Sequence, residues 1–374
     1  MDGAPTQVLI AGGGVAALET VLALRELAGE RVQSTVMAPN EEFVYRPMAV
    51  REPFSYGAAE RYPLGELVEE AGGKLLVDSL AWVDVAAKEV RTEGDEKVGY
   101  DGLVVAMGAR VQARYEHGYT IDDRRMDELL HGLVQDVEEG YVKRLGFVIP
   151  GRMGWLLPVY ELALMMAGRA YEMGAELKVT IVTPEEAPLG LFGAGASEGI
   201  AKLLERAGIE TITSAYAEVP GWDTVEISPG DRRLEVDRVV ALPELFGPAV
   251  RGLPAVEHGF LPVDVHGRVR GVEDVYGAGD VTDFAVKQGG IAAQQADAAA
   301  EWIAAQAGAE IEPKPFQPVL RGMLLTGGAP LYLSAQISGG HGFSSQISET
   351  PAWTAGVKIV AKYLGPFLEG RESS

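Results

Sequence analysis

Residues Gln7–Glu19 read Q-V-L-I-A-G-G-G-V-A-A-L-E, and four apolar residues (Val8, Leu9, Ile10, Ala11) run straight into Gly12, Gly13 and Gly14. A helical apolar pattern begins at Val15 and continues through Leu18, Val21, Leu22 and Leu24 to Leu27. A continuous apolar run of this length is how a parallel strand buried on both faces reads. Such a strand must turn sharply to launch a helix that packs back on the sheet. Gly12 supplies the tight turn, and Gly14 leaves room for a pyrophosphate against backbone N–H groups at the positive end of the helix. Ala17 holds the third position of G-x-G-x-x-G/A, where a small residue lets helix and strand approach. The fingerprint follows a strand and opens a helix, which is the context that gives it meaning.

The chain has 374 residues, enough for two or three domains. Its 54 acidic against 32 basic residues give a formal charge of −22, which argues against nucleic acid, since phosphate binding needs clustered Lys and Arg. The same charge disfavours docking on anionic lipid. There is no cysteine, which removes disulfides, thiolate metal sites and thiol nucleophiles together. The five histidines (His117, His131, His258, His266, His341) stand in no metal-ligand spacing. The first residues, M-D-G-A-P-T, carry no basic or apolar leader, and no stretch approaches the ~18 apolar residues of a membrane span. The expectation is a soluble, cytoplasmic protein.

Arg31–Met37 reads as the second strand of the nucleotide unit. An acidic residue is expected at its end, ~20 residues past the glycines, to hold a ribose hydroxyl. Here Ala38, Pro39 and Asn40 stand instead, with Glu41 and Glu42 beyond. Residues 43–53, F-V-Y-R-P-M-A-V-R-E-P, read as a long non-periodic loop. Its Arg46 suits contact with a pyrophosphate or a solvated surface equally. Short alternating runs between Leu75 and Tyr100 suggest a small antiparallel meander. Tyr100-Asp101 then leads a buried strand to Ala106-Met107-Gly108, a small-residue turn that admits a ligand or simply ends the strand.

The chain then repeats itself. Leu145–Gly151 parallels the first strand and turn, and Pro158 suits the first turn of a helix from Val159 to about Tyr171. Lys178–Val182 is the second strand, whose exit Thr183-Pro184-Glu185-Glu186 echoes Ala38-Pro39-Asn40-Glu41, and Asp237–Pro243 echoes the Asp101 strand. As a phosphate cradle this turn is defective. Counting from Gly151, Met153 and Leu156 fall where glycines belong; counting from Gly154, Leu156 and Val159 do. Side chains there crowd a pyrophosphate, so the turn either preserves the fold alone or binds a dinucleotide weakly.

The third informative stretch is residues 273–300. Val275-Tyr276-Gly277-Ala278-Gly279 delivers Asp280 at a strand end, which suits hydroxyls of a sugar-like chain. Gly289-Gly290 then opens an Ala/Gln-rich helix through Gln306, whose N-terminus suits developing negative charge. Lys287 is either a solvated lysine before a helix or a cation serving that same charge.

The set Gly12-x-Gly14-x-x-Ala17, Tyr100-Asp101 through Gly108, and Tyr276–Asp280 resembles the flavoproteins with two dinucleotide-binding domains. Tyr45-Arg46-Pro47, Trp155-x-x-Pro158-x-Tyr160-Glu161-Leu162-Ala163 and Lys287-Gln288-Gly289-Gly290 are similar to the branch of sulfide:quinone oxidoreductases and type II NADH dehydrogenases. The resemblance spans nearly the whole chain. It implies an α/β fold of two Rossmann-like units with a small antiparallel meander and a C-terminal segment. The corresponding division is 1–113 and 255–310 for the FAD-binding domain, 114–254 for a second NAD(P)-binding-like domain, and 311–374 for the C-terminal segment.

It also implies FAD, its pyrophosphate on Gly12, Gly14 and Ala17 and its ribityl hydroxyls on Asp280. Gly13, Val15, Ala16, Ala38, Pro39, Arg46, Pro47, Ala106, Gly108 and Gly279 complete the expected cofactor-binding set. Lys287 would lie with Gln288, Gly289 and Gly290 beside the isoalloxazine ring, as the candidate catalytic residue. Sulfide oxidation in that branch runs through cysteines, and this chain has none. The branch's quinone motif A-Q-x-A-x-Q is met by Ala292 and Gln294 alone. The expected activity is therefore an FAD-dependent oxidoreductase taking electrons from a small-molecule donor, NAD(P)H among the candidates, to a quinone-like or other acceptor. A redox-inert or sensory flavin-binding protein is the alternative. In the tail, Trp353, Val357, Val360, Leu364 and Phe367 fall on one helical face, with Lys358 and Lys362 opposite. That face suits core packing or a homodimer surface rather than a peripheral membrane anchor.

Overall fold

The computed structural model describes residues 4–151, 154–338, 341–354 and 357–372. The first apolar run forms strand Thr6–Ala11, and the glycines turn it into helix α1, Val15–Ala28. The strand lies inside a five-stranded parallel sheet in the order Val275–Gly277, Gly102–Val105, Thr6–Ala11, Val32–Met37, Lys74–Leu76. Ile10 sits level with Val36 on one side and Val104 on the other. The outermost strand arrives from far along the chain, so the first unit closes only after the second has been made. Helix α2, Leu64–Glu70, covers one end of this sheet.

The second unit is built alike. Tyr119–Thr120, Arg238–Ala241, Arg144–Val148, Lys178–Val182 and Glu210–Ile212 form another all-parallel sheet in that order. Its helices are α3, Met126–Glu138; α4, Leu157–Met173; and α5, Ala194–Arg206. Pro158 stands in the first turn of α4, where its missing N–H is harmless, and Gly174 ends the helix in a left-handed conformation. The two connections between the units pair with each other, Arg110–Gln112 antiparallel to Glu244–Phe246.

Helix α6, Gly289–Gln306, lies against α1 in the core of the first unit. Its alanines (Ala292, Ala296, Ala299, Ala300) are buried with Ala16, Ala17 and Ala23. Small side chains on both helices let their backbones come close, which is the physical use of an alanine-rich sequence here.

Three local expectations are corrected, and two features are new. Lys74–Leu76 belongs to the parallel sheet, and the meander is confined to Leu80–Asp84, Glu89–Thr92 and Lys97–Gly99. Residues 43–53 are not a plain loop: Glu42–Val44 pairs with Arg61–Pro63, and Arg46–Phe54 winds as a 3-10 helix with Ala49, Val50 and Phe54 in the core. A second meander, Tyr216–Gly221, Thr224–Ser228 and Arg232–Glu235, and a C-terminal sheet, Val319–Leu324, Leu331–Ser338 and His341–Ser348, are not anticipated from sequence. Finally, Trp353, Val357 and Val360 do not share a helix with Leu364 and Phe367, because α7 covers only Leu364–Glu372. The Trp353 indole N–H donates to the Val357 carbonyl at 2.9 Å and its ring meets Tyr332 edge-on. Side chains of the core, described below, take the tail's backbone N–H groups and so replace helical hydrogen bonds.

Candidate functional site

The first glycine turn shows which glycines the fold needs and which a ligand needs. Gly12 has φ +134°, and a Cβ there would lie 2.2 Å from the Ala106 carbonyl oxygen. A Cβ on Gly13 would meet Leu64 at 2.7 Å and the Ala38 methyl at 2.9 Å. Both glycines are demanded by packing. Gly14, the N-cap of α1, is exposed, and nothing lies within 4 Å of where its Cβ would point. A glycine with open space before it, at the N-terminus of a 14-residue helix, is the shape a pyrophosphate requires. Val15 opens the helix, while Ala16 and Ala17 are buried against the sheet and α6.

The strand ends around this turn are small. Ala106 donates its N–H to the Ala11 carbonyl at 2.7 Å, and Gly108 adopts φ +73°. Ala38 is buried beneath Gly13, whereas Pro39 beyond it is exposed. Gly279, at φ +82°, sits between the methyls of Ala16 and Ala292, each 3.3 Å from where its Cβ would lie. The side-chain oxygen of Gln295 on α6 accepts the Gly279 N–H at 2.8 Å and fixes that turn.

Asp280 follows at once. Its carboxylate is partly exposed and has no hydrogen-bond donor among the described residues. Burial pushes its pKa up to about 6, the Lys287 ammonium resists that rise and the Asp123 carboxylate adds to it. Lys287 is buried. Its ammonium donates to the Thr282 carbonyl and stands 4.1 Å from the centre of the Phe260 ring. Burial lowers its pKa to about 8, against the pull of Asp280 and Asp283. Gln288 caps α6 by accepting the Ile291 N–H at 2.9 Å, so its amide is committed to structure. Gly289 and Gly290 make the first turn of α6 and touch the tail: a Cβ on Gly289 would lie 2.9 Å from Ile359. Arg46 reaches across to the second unit and pairs with Asp123 at 3.1 Å, both partly exposed, while the Pro47 carbonyl accepts from Lys358. The turn, the open Gly14 face and the unpartnered Asp280 fit the pyrophosphate and ribityl parts of FAD. FAD bound there would supply the redox chemistry, and these residues would orient and charge-balance it.

The second turn is spent on packing. Gly151 faces Tyr216, whose ring a Cβ would meet at 3.2 Å, and Gly154 faces Leu245 at 2.6 Å and the Lys287 stem at 3.0 Å. Met153 lies outside the described residues. Leu156 is buried. Glu185, the acid nearest the ribose position, is turned inward. One of its oxygens accepts from the Tyr160 phenol and from the Thr183 hydroxyl, and the other is buried without a partner. Burial raises the pKa of Glu185, and that of Tyr160 well above its usual value. Beside Gly151 is a cavity of about 340 Å³ lined by Arg114, Tyr115, Tyr216, Glu218 and Glu244. Arg114 is paired there with Glu218 at 2.7 Å, so two carboxylates face one cation where a dinucleotide would bring further negative charge.

Comparison with known proteins matches this geometry. A family model for pyridine nucleotide-disulphide oxidoreductases matches residues 161–301. The fold is that of proteins with two dinucleotide-binding domains, and the match supports an FAD-dependent oxidoreductase. It is 25% identical over 296 residues to an NADH dehydrogenase-like protein of Mycobacterium tuberculosis, covering 74% of this chain and 72% of that protein. It is 27% identical over 207 residues to the sulfide-quinone reductase of Aquifex aeolicus, covering 53% of this chain and 47% of that one. That matched segment spans just under half the length of the reductase. The solved structure of the sulfide:quinone oxidoreductase from Aquifex aeolicus superposes with a TM-score of 0.83 at 19% identity, over 92% of this chain and 87% of that one, which shows the shared fold.

Sequence reasoning passed over Glu19, Asp297, Asp123 and Gln295, and it put Lys358 on the polar face of a tail helix where the structure buries it. Glu19 and Lys358 had a signal, since each is a charged residue inside an apolar run, and a charge so placed is buried only when paired. Asp123 and Gln295 had none, because only the tertiary structure brings them to Asp280 and Gly279.

Proposed function

We propose that this oxidoreductase passes electron pairs through FAD held at the first turn, from a small-molecule donor other than a tightly bound nicotinamide dinucleotide, to a quinone-like acceptor. The contrast between the two turns carries the reading. The first leaves open space at Gly14 and an unpartnered carboxylate at Asp280, while the second fills its turn with Tyr216 and Leu245 and engages Glu185 internally. Asp280 would hold the ribityl hydroxyls, and Lys287 would supply positive charge beside the reduced flavin. A quinone-like acceptor is supported by the likeness to a sulfide-quinone reductase. Cysteine-dependent sulfide oxidation is not available to a chain without cysteine.

The test is anaerobic titration of the yellow protein with NADH, NADPH and a soluble quinol, followed at the flavin absorption band. Partial reduction by the quinol, the reverse of electron transfer to a quinone, is expected, with NADH acting only at high concentration. Flavin that none of the three reduces would instead favour a sensory flavoprotein.

A further inference from the structure

Two buried carboxylates, one from each unit, hold the same short piece of the tail. Glu161 on α4 accepts the Lys358 ammonium at 2.6 and 2.8 Å, and the Pro47 carbonyl takes its third proton at 3.0 Å. The Leu325 N–H donates to the same carboxylate at 2.9 Å. The two side chains are only 1% and 5% exposed. Glu19 on α1 accepts the backbone N–H groups of Lys362, Tyr363 and Leu364 at 2.7, 2.9 and 2.6 Å. Between these anchors the Ile359 N–H donates to the Tyr45 hydroxyl at 2.8 Å, and Ile359 covers Gly289. The Val360 carbonyl approaches Gly290, within 3.5 Å of where its Cβ would be. The tail thus crosses the first turn of α6 while tied to both units.

A buried ion pair is an indifferent source of stability, because desolvation offsets the attraction and an apolar pair often holds as well. Burial indeed raises the pKa of Glu161 and lowers that of Lys358 in spite of their contact. What the pair can provide is register: Lys358 has its three donors satisfied in one position only. We infer that residues 358–364 form a strap, and that Glu161 and Lys358 are positioning residues which act through Ile359 and Val360 to shield a flavin at the first turn of α6 from water. This rests on the flavin reading above.

The test uses full-length, FAD-loaded protein. Tail release is read by tryptic cleavage after Lys362, and flavin shielding by iodide quenching of flavin fluorescence and the rate of FAD release. Lys358→Met leaves Glu161 buried and uncompensated. It is expected to speed cleavage about ten-fold and to raise iodide quenching about two-fold, in step with local opening. Lys358→Arg, which keeps the cation, and the neutral double variant Glu161→Gln/Lys358→Met are expected to restore tail protection and shielding together. Glu19→Gln loosens the other anchor and gives an independent variant should Lys358→Met fail to fold. A tail cleaved faster with quenching and FAD release unchanged overturns the inference, as does a Lys358→Met tail as protected as the native one. A colourless native protein removes the flavin reading itself, whereas a yellow protein with unmoved shielding removes only the strap.

Discussion

At the scale of single residues, two neighbouring glycines are glycine for different reasons. Gly12 is constrained by its own fold, through φ +134° and the Ala106 carbonyl. Gly12→Ala therefore combines backbone strain with overpacking, each about 1–3 kcal/mol, and thermal denaturation should show a large loss of stability. Gly14 meets nothing, so Gly14→Leu should give protein of near-native melting temperature that purifies without colour; full flavin retention would place the pyrophosphate elsewhere. Asp280→Ala is expected to weaken FAD several-fold or more, since truncation leaves ribityl hydroxyls unpaired at ~1–3 kcal/mol. Fluorescence titration of the apoprotein with FAD measures this, and unchanged affinity would sever Asp280 from the ribityl chain.

At the scale of elements, the two strand–turn–helix units share a plan and differ in what fills the turn. The first keeps its helix N-terminus open. In the second, Tyr216 from the neighbouring meander and Leu245 from the connection occupy the face of the turn, and Tyr160 on α4 holds Glu185 inward. NADH is therefore expected to reduce the flavin weakly. NADPH should be poorer still, since Glu185, Glu218 and Glu244 oppose a further phosphate. Stopped-flow reduction across a range of nicotinamide concentrations decides this: saturation at micromolar NADH would show a working site. The repeat and both parallel sheets were legible in the sequence because a strand buried on both faces leaves an unbroken apolar run. The second meander was not, because short, half-exposed strands such as Arg232–Glu235 leave a weak pattern.

At the scale of the molecule, the tail is held on the first unit by Glu19, whose carboxylate has Asp297 as a neighbour. Burial, together with the neighbouring Glu19 charge, pushes the pKa of Asp297 on α6 from an ordinary 3.8 up to about 8. Glu301 acts in the same direction and Lys362 against it, while burial also raises Glu19. A carboxyl whose folded-state pKa is raised stabilises fully below its unfolded value, and that contribution is lost as pH rises to the folded value. Melting temperature should therefore fall between about pH 4 and 8 through this group, and Asp297→Asn should flatten that limb. An unchanged slope in Asp297→Asn would show that Asp297 does not hold its proton. Asp237 and Asp264, lowered by Arg144 and Arg268, work the opposite way and lose their contribution as acid protonates them.

The amino-acid sequence by itself determined two parallel-sheet units, an open first turn and a strand-end Asp280, because these depend on residues near each other in the chain. Apolar runs, glycine spacing and helix starts are local physics. Only the tertiary structure decided that Glu185 faces inward, that Arg46 pairs with Asp123 and that the tail is a strap rather than a helix. Each of those outcomes turns on a partner tens to hundreds of residues away. The amphipathic spacing of Trp353 to Phe367 was present in the sequence, yet Glu19 and Tyr45 offered its backbone better-placed acceptors than the helix itself. A buried carboxylate must find donors, and the N–H groups of a passing tail were the donors within reach.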